Sequence, residues 1–132
     1  MASLIDCVTG TERMSAIFSG ESMLRAMLDF EAALAEAAAA QRLIPARAAA
    51  AIRRAADPSR YDVAALTRQG LRAGTPVIPM VKMLTEQVRL LDPAAAGYVH
   101  WGATSQDVTD SALVLKLSEC REALLADHER IL

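Results

Sequence analysis

An all-α fold is what this sequence predicts, on three observations. Apolar residues recur every three or four positions over most of the chain, proline and capping residues punctuate it at helix length, and no stretch alternates polar with apolar residues as a strand does. At 132 residues the chain has the length for one hydrophobic core and falls short of two.

The helices follow in order. Thr11 is placed to cap a short helix over Thr11 to Phe18. Ser19-Gly20-Glu21 opens a longer one, in which Leu24, Met27, Leu28, Leu34, Ala35 and Ala38 recur at spacings of three, four and seven and form one core-facing stripe. Glu21 in its first turn is favoured by the helix dipole. Ile44-Pro45 ends it, because proline drives its predecessor out of the α region. Pro45 reads as the first residue of the next helix, which runs through Ala48–Ala51, Ile52 and Arg53 to Asp57-Pro58.

Asp62 caps a further short helix ending at Gly74. Thr75-Pro76 starts another, with Ile78, Val81, Leu84, Val88 and Leu91 expected on its buried side. Pro79 fits there only inside the first turn, where backbone donors lack helical partners. Asp92-Pro93 closes that helix and Ala94–Gly97 forms a turn. The last helix starts at Thr104 or Ser105 and carries Val108, Ala112, Leu113, Leu115, Leu117, Leu124 and Leu125. It runs to Leu132 with no glycine, proline or polar cap, so the expectation is a longer protein interrupted in mid-helix.

Composition narrows the function classes. A net charge of −2 gives no electrostatic reason for a nucleic acid or an anionic membrane as partner. No apolar run reaches transmembrane length, and Met1 to Gly10 lacks the pattern of a secretion signal. Cys7 and Cys120 lie far apart and match no metal spacing, which fits a reduced, cytoplasmic protein with free thiols. Hydrophobic residues make up 53% of the chain, a high share for a lone small domain. Alanine inflates that figure, and the remainder predicts burial against further protein surface.

One segment concentrates the residues for chemistry: His100-Trp101-Gly102-Ala103-Thr104-Ser105-Gln106-Asp107-Val108-Thr109-Asp110. Gly102 and Ala103 allow a ligand close to the backbone. Thr104 and Ser105 supply hydroxyls and backbone N–H groups where a long helix begins, a natural place for a carboxylate or phosphate. Spacing alone favours a plainer reading, with Ser105 as an N-cap and Asp107 and Asp110 offsetting the dipole. On the same footing His100 is a packed or surface histidine and Trp101 a core residue.

The segment resembles the His-x-Gly-Ala-Thr-Ser-x-Asp region shared by adenylosuccinate lyases and 3-carboxy-cis,cis-muconate cycloisomerases of the fumarase/aspartase superfamily. Met14–Phe18, Met27–Ala35 and Ala73–Lys82 resemble cycloisomerase segments in the same order, so the similarity spans nearly the whole chain. Adenylosuccinate lyases hold a nucleotide with an Arg-Tyr near the start and an Arg-His-Asp before the helix that begins here at Thr75, and at the corresponding places this chain has neither. It carries Gly74-Thr75-Pro76 at the second of those places. A nucleotide phosphate loses charged donors there, and these are the strong ones.

The resemblance implies the following. Residues 1–103 form the amino-terminal helical domain of the fumarase/aspartase fold, and residues 104–132 begin a long helix of its central bundle. The substrate is a small polycarboxylate, held by Thr104, Ser105 and Gln106, with Thr75 and His100 also in the binding site. No cofactor and no metal is expected, and the family works as a homotetramer. The family's mobile Gly-Ser-Ser-x-Met-Pro-x-Lys loop has no counterpart in this chain, so no catalytic residue is assigned within it. The 132 residues alone are expected to be inactive. Fumarate elimination, or a helical assembly role without catalysis, stand as alternatives to lactone formation.

Overall fold

The computed structural model describes residues 10–131. Cys7 and most of the amino-terminal stretch read as lacking a secretion signal lie outside the described residues, as does Leu132. Among the described residues there are six α-helices and no strand. They are α1 (Glu12–Ile17), α2 (Gly20–Ala40), α3 (Ala46–Ala55), α4 (Val63–Ala73), α5 (Val77–Leu91) and α6 (Ser105–Glu129). Short 3-10 turns at Pro58–Arg60 and Ala96–Tyr98 join the chain where proline or small residues interrupt it.

Helix α2 is the centre of the arrangement, with α3 and α6 both packed along it and α5 packed on α3 and α4. Its stripe Leu24, Met27, Leu28, Ala35 and Ala38 is buried as its spacing predicts, while Leu34 is half-buried. Leu24, Leu28, Ile52, Val77, Met80, Leu84, Val88 and Val108 are fully enclosed, and they join four helices into one core. Burying each such side chain contributes about 1.5–3 kcal/mol relative to leaving it in water. The many alanines (Ala48, Ala49, Ala51, Ala55) let α3 lie close against its neighbours.

Capping follows the sequence closely. Thr11, Ser19 and Asp62 each accept a backbone N–H three residues on, and Gly74 closes α4 in the left-handed conformation at φ 72°. Pro79 is the third residue of α5, in the turn where its missing N–H goes unneeded. Tyr61 donates its hydroxyl to the Ala55 carbonyl at 2.8 Å, satisfying the end of α3.

Four local expectations are corrected. Helix α2 stops at Ala40, four residues before Ile44, because Arg42 turns left-handed at φ 59°. The N–H groups of Arg42 and Leu43 then return to the carbonyls of Ala39 and Ala38, closing the helix without glycine. Pro45 precedes α3 as its cap, with extended ψ 139°, rather than forming its first residue. Ile78 is 55% exposed, since the buried face of α5 runs through Val77, Met80, Leu84 and Val88 and leaves the next residue about 100° away. The last helix ends at Glu129, where Arg130 and Ile131 tighten onto Asp127 and His128.

Helix α6 buries only Val108, Ala112, Lys116 and Ala123. Leu113, Val114, Leu115, Leu117, Leu124 and Leu125 all face outward, from 42% to 63% exposed. Lys116 lies in the buried stripe and reaches Glu119 with its Nζ at 2.6 Å.

Candidate functional site: the loop that opens the last helix

The 3-10 turn at Ala96–Tyr98 delivers the chain to Val99 in an extended conformation, and two left-handed residues then fold it back. Gly102 does so at φ 78°, where a side chain is strained whatever the room around it; the space beside its Cα is open. His100 does so at φ 59° while carrying a full side chain. A non-glycine residue there costs roughly 1–2 kcal/mol, so something must hold it.

That holding group is Glu31. Nδ1 of His100 lies 2.5 Å from Oε1 of Glu31, on the inner face of α2. The Glu31 side chain has no exposure and that of His100 retains 19%. Oε2 of Glu31 is buried without a hydrogen-bond partner among the described residues. Burial pushes the Glu31 carboxyl above its ordinary value, and contact with the ring and backbone of His100 pulls the other way without cancelling it.

Thr104 is the N-cap of α6, the place the plainer sequence reading gave to Ser105. Its N–H donates to Oδ2 of Asp107 at 2.7 Å, its hydroxyl lies 3.0 Å from the same oxygen, and the Asp107 N–H returns to Oγ1 at 3.4 Å. These contacts form a capping box with Asp in place of the usual Glu. They hold the Asp107 carboxyl below its ordinary value, first through the Thr104 N–H and then through its hydroxyl. The side-chain amide of Gln106 is similarly engaged, donating to Oδ1 of Asp110 at 2.5 Å.

Two donors remain. Among the described residues nothing accepts from the backbone N–H groups of Ser105 and Gln106, which head a helix of 25 residues. They point from the positive end of the helix dipole, so a carboxylate finds its best partners there. Thr75 sits apart at the start of α5, where its Oγ1 accepts the Val77 N–H at 3.2 Å; no hydrogen bond joins it to the His100–Asp107 loop. Trp101 is 49% exposed and tilts against Tyr98, with ring centroids 5.7 Å apart, so it is not the core residue its type suggests. An open groove of about 720 Å³ lies between α2 and α6, lined by Phe30, Ala33, Val114 and Leu115, with Asp29, Arg53 and Asp110. It begins one helical turn beyond Gln106 and is mainly apolar, unlike the loop. Among the described residues no His/Cys/Asp/Glu cluster suited to a metal ion occurs.

A family model described as lyase matches residues 7–132. The chain belongs to this lyase family. The fold is that of the fumarase/aspartase superfamily: a lactonizing enzyme from Pseudomonas putida, acting on 3-carboxy-cis,cis-muconate, superposes with a TM-score of 0.89 at 44% identity, covering 96% of this chain and 29% of that one. The 3-carboxy-cis,cis-muconate cycloisomerase of Bradyrhizobium diazoefficiens is 45% identical over 130 residues, 98% of this chain and 29% of the relative. A nitrosuccinate lyase of Streptomyces davaonensis is 40% identical over 129 residues, 98% of this chain and 27% of the relative. The chain thus spans less than a third of the length of these lyase relatives.

Sequence reading singled out the helix start and missed Glu31. The signal was present: Glu31 stands in register with Leu24, Leu28, Ala35 and Ala38, a charge on the buried stripe of α2.

Proposed function

We propose that this chain is the leading portion of a 3-carboxy-cis,cis-muconate cycloisomerase and supplies part of its substrate-carboxylate site. The observation that carries the reading is the ordered identity of 44–46% to such enzymes over nearly the whole chain. It is joined by the pair of free N–H groups at the start of α6. In the reaction a carboxylate oxygen bonds to an alkene carbon of the same molecule. The π electrons move onto the carbon beside another carboxylate, which delocalises them, and a proton then completes the lactone.

Fixed donors at that second carboxylate stabilise the charge as it develops, and they are already oriented before the reaction begins. Ser105 and Gln106 fit this role through their backbone N–H groups. Thr104 fits it less directly, since its donors are held by Asp107. The nucleophile and alkene belong to one substrate, so orientation supplies much of the rate. The proton donor is assigned to no residue of this chain, and no cofactor enters the scheme.

The same reading places the protein in the cytoplasm, in the breakdown of protocatechuate-type aromatic acids. It makes residues 1–103 a helical domain and residues 104–132 the first part of a bundle helix within a homotetramer. Support for the bundle comes from the outward leucines of α6. No described helix is long and apolar enough to cross a membrane.

A second reading, elimination from a succinate-like substrate, is favoured by the similarity to nitrosuccinate lyase. Grafting this chain in place of the matching leading segment of the Pseudomonas putida enzyme separates the two. Loss of the diene absorbance of carboxymuconate supports lactone formation. A graft inert on carboxymuconate that releases fumarate from nitrosuccinate supports elimination.

A further inference from the structure

We infer that Glu31 is a positioning residue for the loop that opens α6: it fixes the proton of His100 on Nδ1 and so ties the loop to α2, holding the free N–H groups of Ser105 and Gln106 in place for a substrate carboxylate. The inference concerns this chain's own side chains, and only its kinetic consequence rests on the cycloisomerase reading.

Three observations meet at the pair. The first is geometric: Nδ1 and Oε1 stand 2.5 Å apart, a short hydrogen-bonding contact. One ring nitrogen is thereby committed to α2. Among the described residues nothing bonds Nε2, and the side chain is open to solvent over 19% of its surface. A histidine's two nitrogens are not equivalent, and the partner of one sets the role of the other. A carboxylate behind Nδ1 keeps a proton there, which leaves Nε2 of the neutral ring as an acceptor and fixes the orientation of the ring.

The second is conformational. His100 occupies the left-handed region without being glycine, directly before the segment Trp101-Gly102-Ala103-Thr104. The contact to Glu31 ties that strained residue to the rigid central helix. It therefore sets the path by which the chain reaches Ser105 and Gln106. A displacement of about 1 Å in such a positioning element is enough to cost roughly a hundredfold in rate.

The third is energetic. Glu31 is enclosed, and its Oε2 has no partner among the described residues. A buried polar atom left unpaired opposes folding, and a side chain of similar volume without the charge avoids that cost. The carboxylate's benefit therefore lies with the ring it holds, and the core does not need it.

The test uses nitrogen NMR on the 15N-labelled chain. His100 and His128 are its two histidines, so a His128→Gln background leaves one ring to observe. At neutral pH, Nδ1 of His100 is expected to carry the proton. Glu31→Gln, whose amide oxygen still accepts from Nδ1–H, should keep that pattern. Glu31→Leu should move the proton to Nε2 while helical content by circular dichroism stays unchanged. Nδ1 remaining protonated in Glu31→Leu overturns the inference, as does a wild-type ring with its proton on Nε2.

The kinetic arm uses the graft described above. Glu31→Leu should raise KM for carboxymuconate roughly tenfold to a hundredfold, with Glu31→Gln restoring most of it. Parental kcat and KM in Glu31→Leu overturn the inference. A graft without any carboxymuconate turnover counts against the cycloisomerase reading alone, and the ring-nitrogen result then decides the role of Glu31.

Discussion

His100 and Glu31 lie 69 residues apart in the chain and 2.5 Å apart in space, joining the strained start of the loop that opens α6 to the buried face of α2. The contact sets a buried carboxyl against a half-buried ring, and its consequences reach stability.

Stability should depend on pH through Glu31. Its folded-state carboxyl titrates above its ordinary value of 4.5, because burial disfavours the charged form. Between that value and the raised folded one, the native state holds more protons than the unfolded state. Stability therefore falls as pH rises through this window. Urea denaturation at a series of pH values should show the fall in the wild type and a smaller one in Glu31→Gln. Identical pH profiles for the two proteins contradict it.

The capping box makes a separate prediction. Thr104→Ala removes the hydroxyl that meets both the Asp107 N–H and its carboxylate, and should lower stability by about 1 kcal/mol. The Asp107 carboxyl should also rise part-way toward its ordinary value, because the Thr104 N–H remains to hold it down. Carboxyl titration by carbon NMR reads the second effect. An unmoved Asp107 titration shows that the hydroxyl contributes nothing to it.

Gly102 is constrained by its backbone and not by crowding. At φ 78° with open space beside it, Gly102→Ala should cost roughly 1–2 kcal/mol with no steric penalty added. A loss well beyond that range in chemical denaturation means that a neighbour is being struck.

Helix α5 offers a paired comparison. Leu84 is fully enclosed, so Leu84→Ala should cost about 2–5 kcal/mol. Ile78, at 55% exposure, should give a change within about 0.5 kcal/mol on replacement by Ala. Equal losses from the two would restore Ile78 to the buried face where its apolar character first placed it.

These residues show where sequence was legible and where it was not. Helix identities, the caps at Thr11, Ser19 and Asp62 and the stop at Gly74 all follow from local rules, because each depends on residues within one turn. The end of α2 escaped, since its stop is an arginine in a conformation usually left to glycine, and proline three residues later gave the louder signal. Ile78 escaped because the face of a helix is set by neighbours that a single helix does not contain. The site was half legible. The free donors at the α6 start follow from its capping pattern, but which hydroxyls and amides are already engaged depends on rotamers. Glu31 was readable only as a charge on an apolar stripe, and its partner comes from the other end of the chain.

The most direct measurement replaces Ser105 by Pro in the graft, which deletes one of the two free backbone N–H groups at the first position of α6, and follows loss of the diene absorbance of carboxymuconate beside urea denaturation. Proline is tolerated at that position, so stability should change by less than about 1 kcal/mol. Losing one donor at the helix start should cost more, up to roughly 3 kcal/mol of barrier, a fall in turnover of about a hundredfold. A folded variant with slow lactone formation is the expected result. A folded variant that turns over at the parental rate would make the helix start a cap and nothing more.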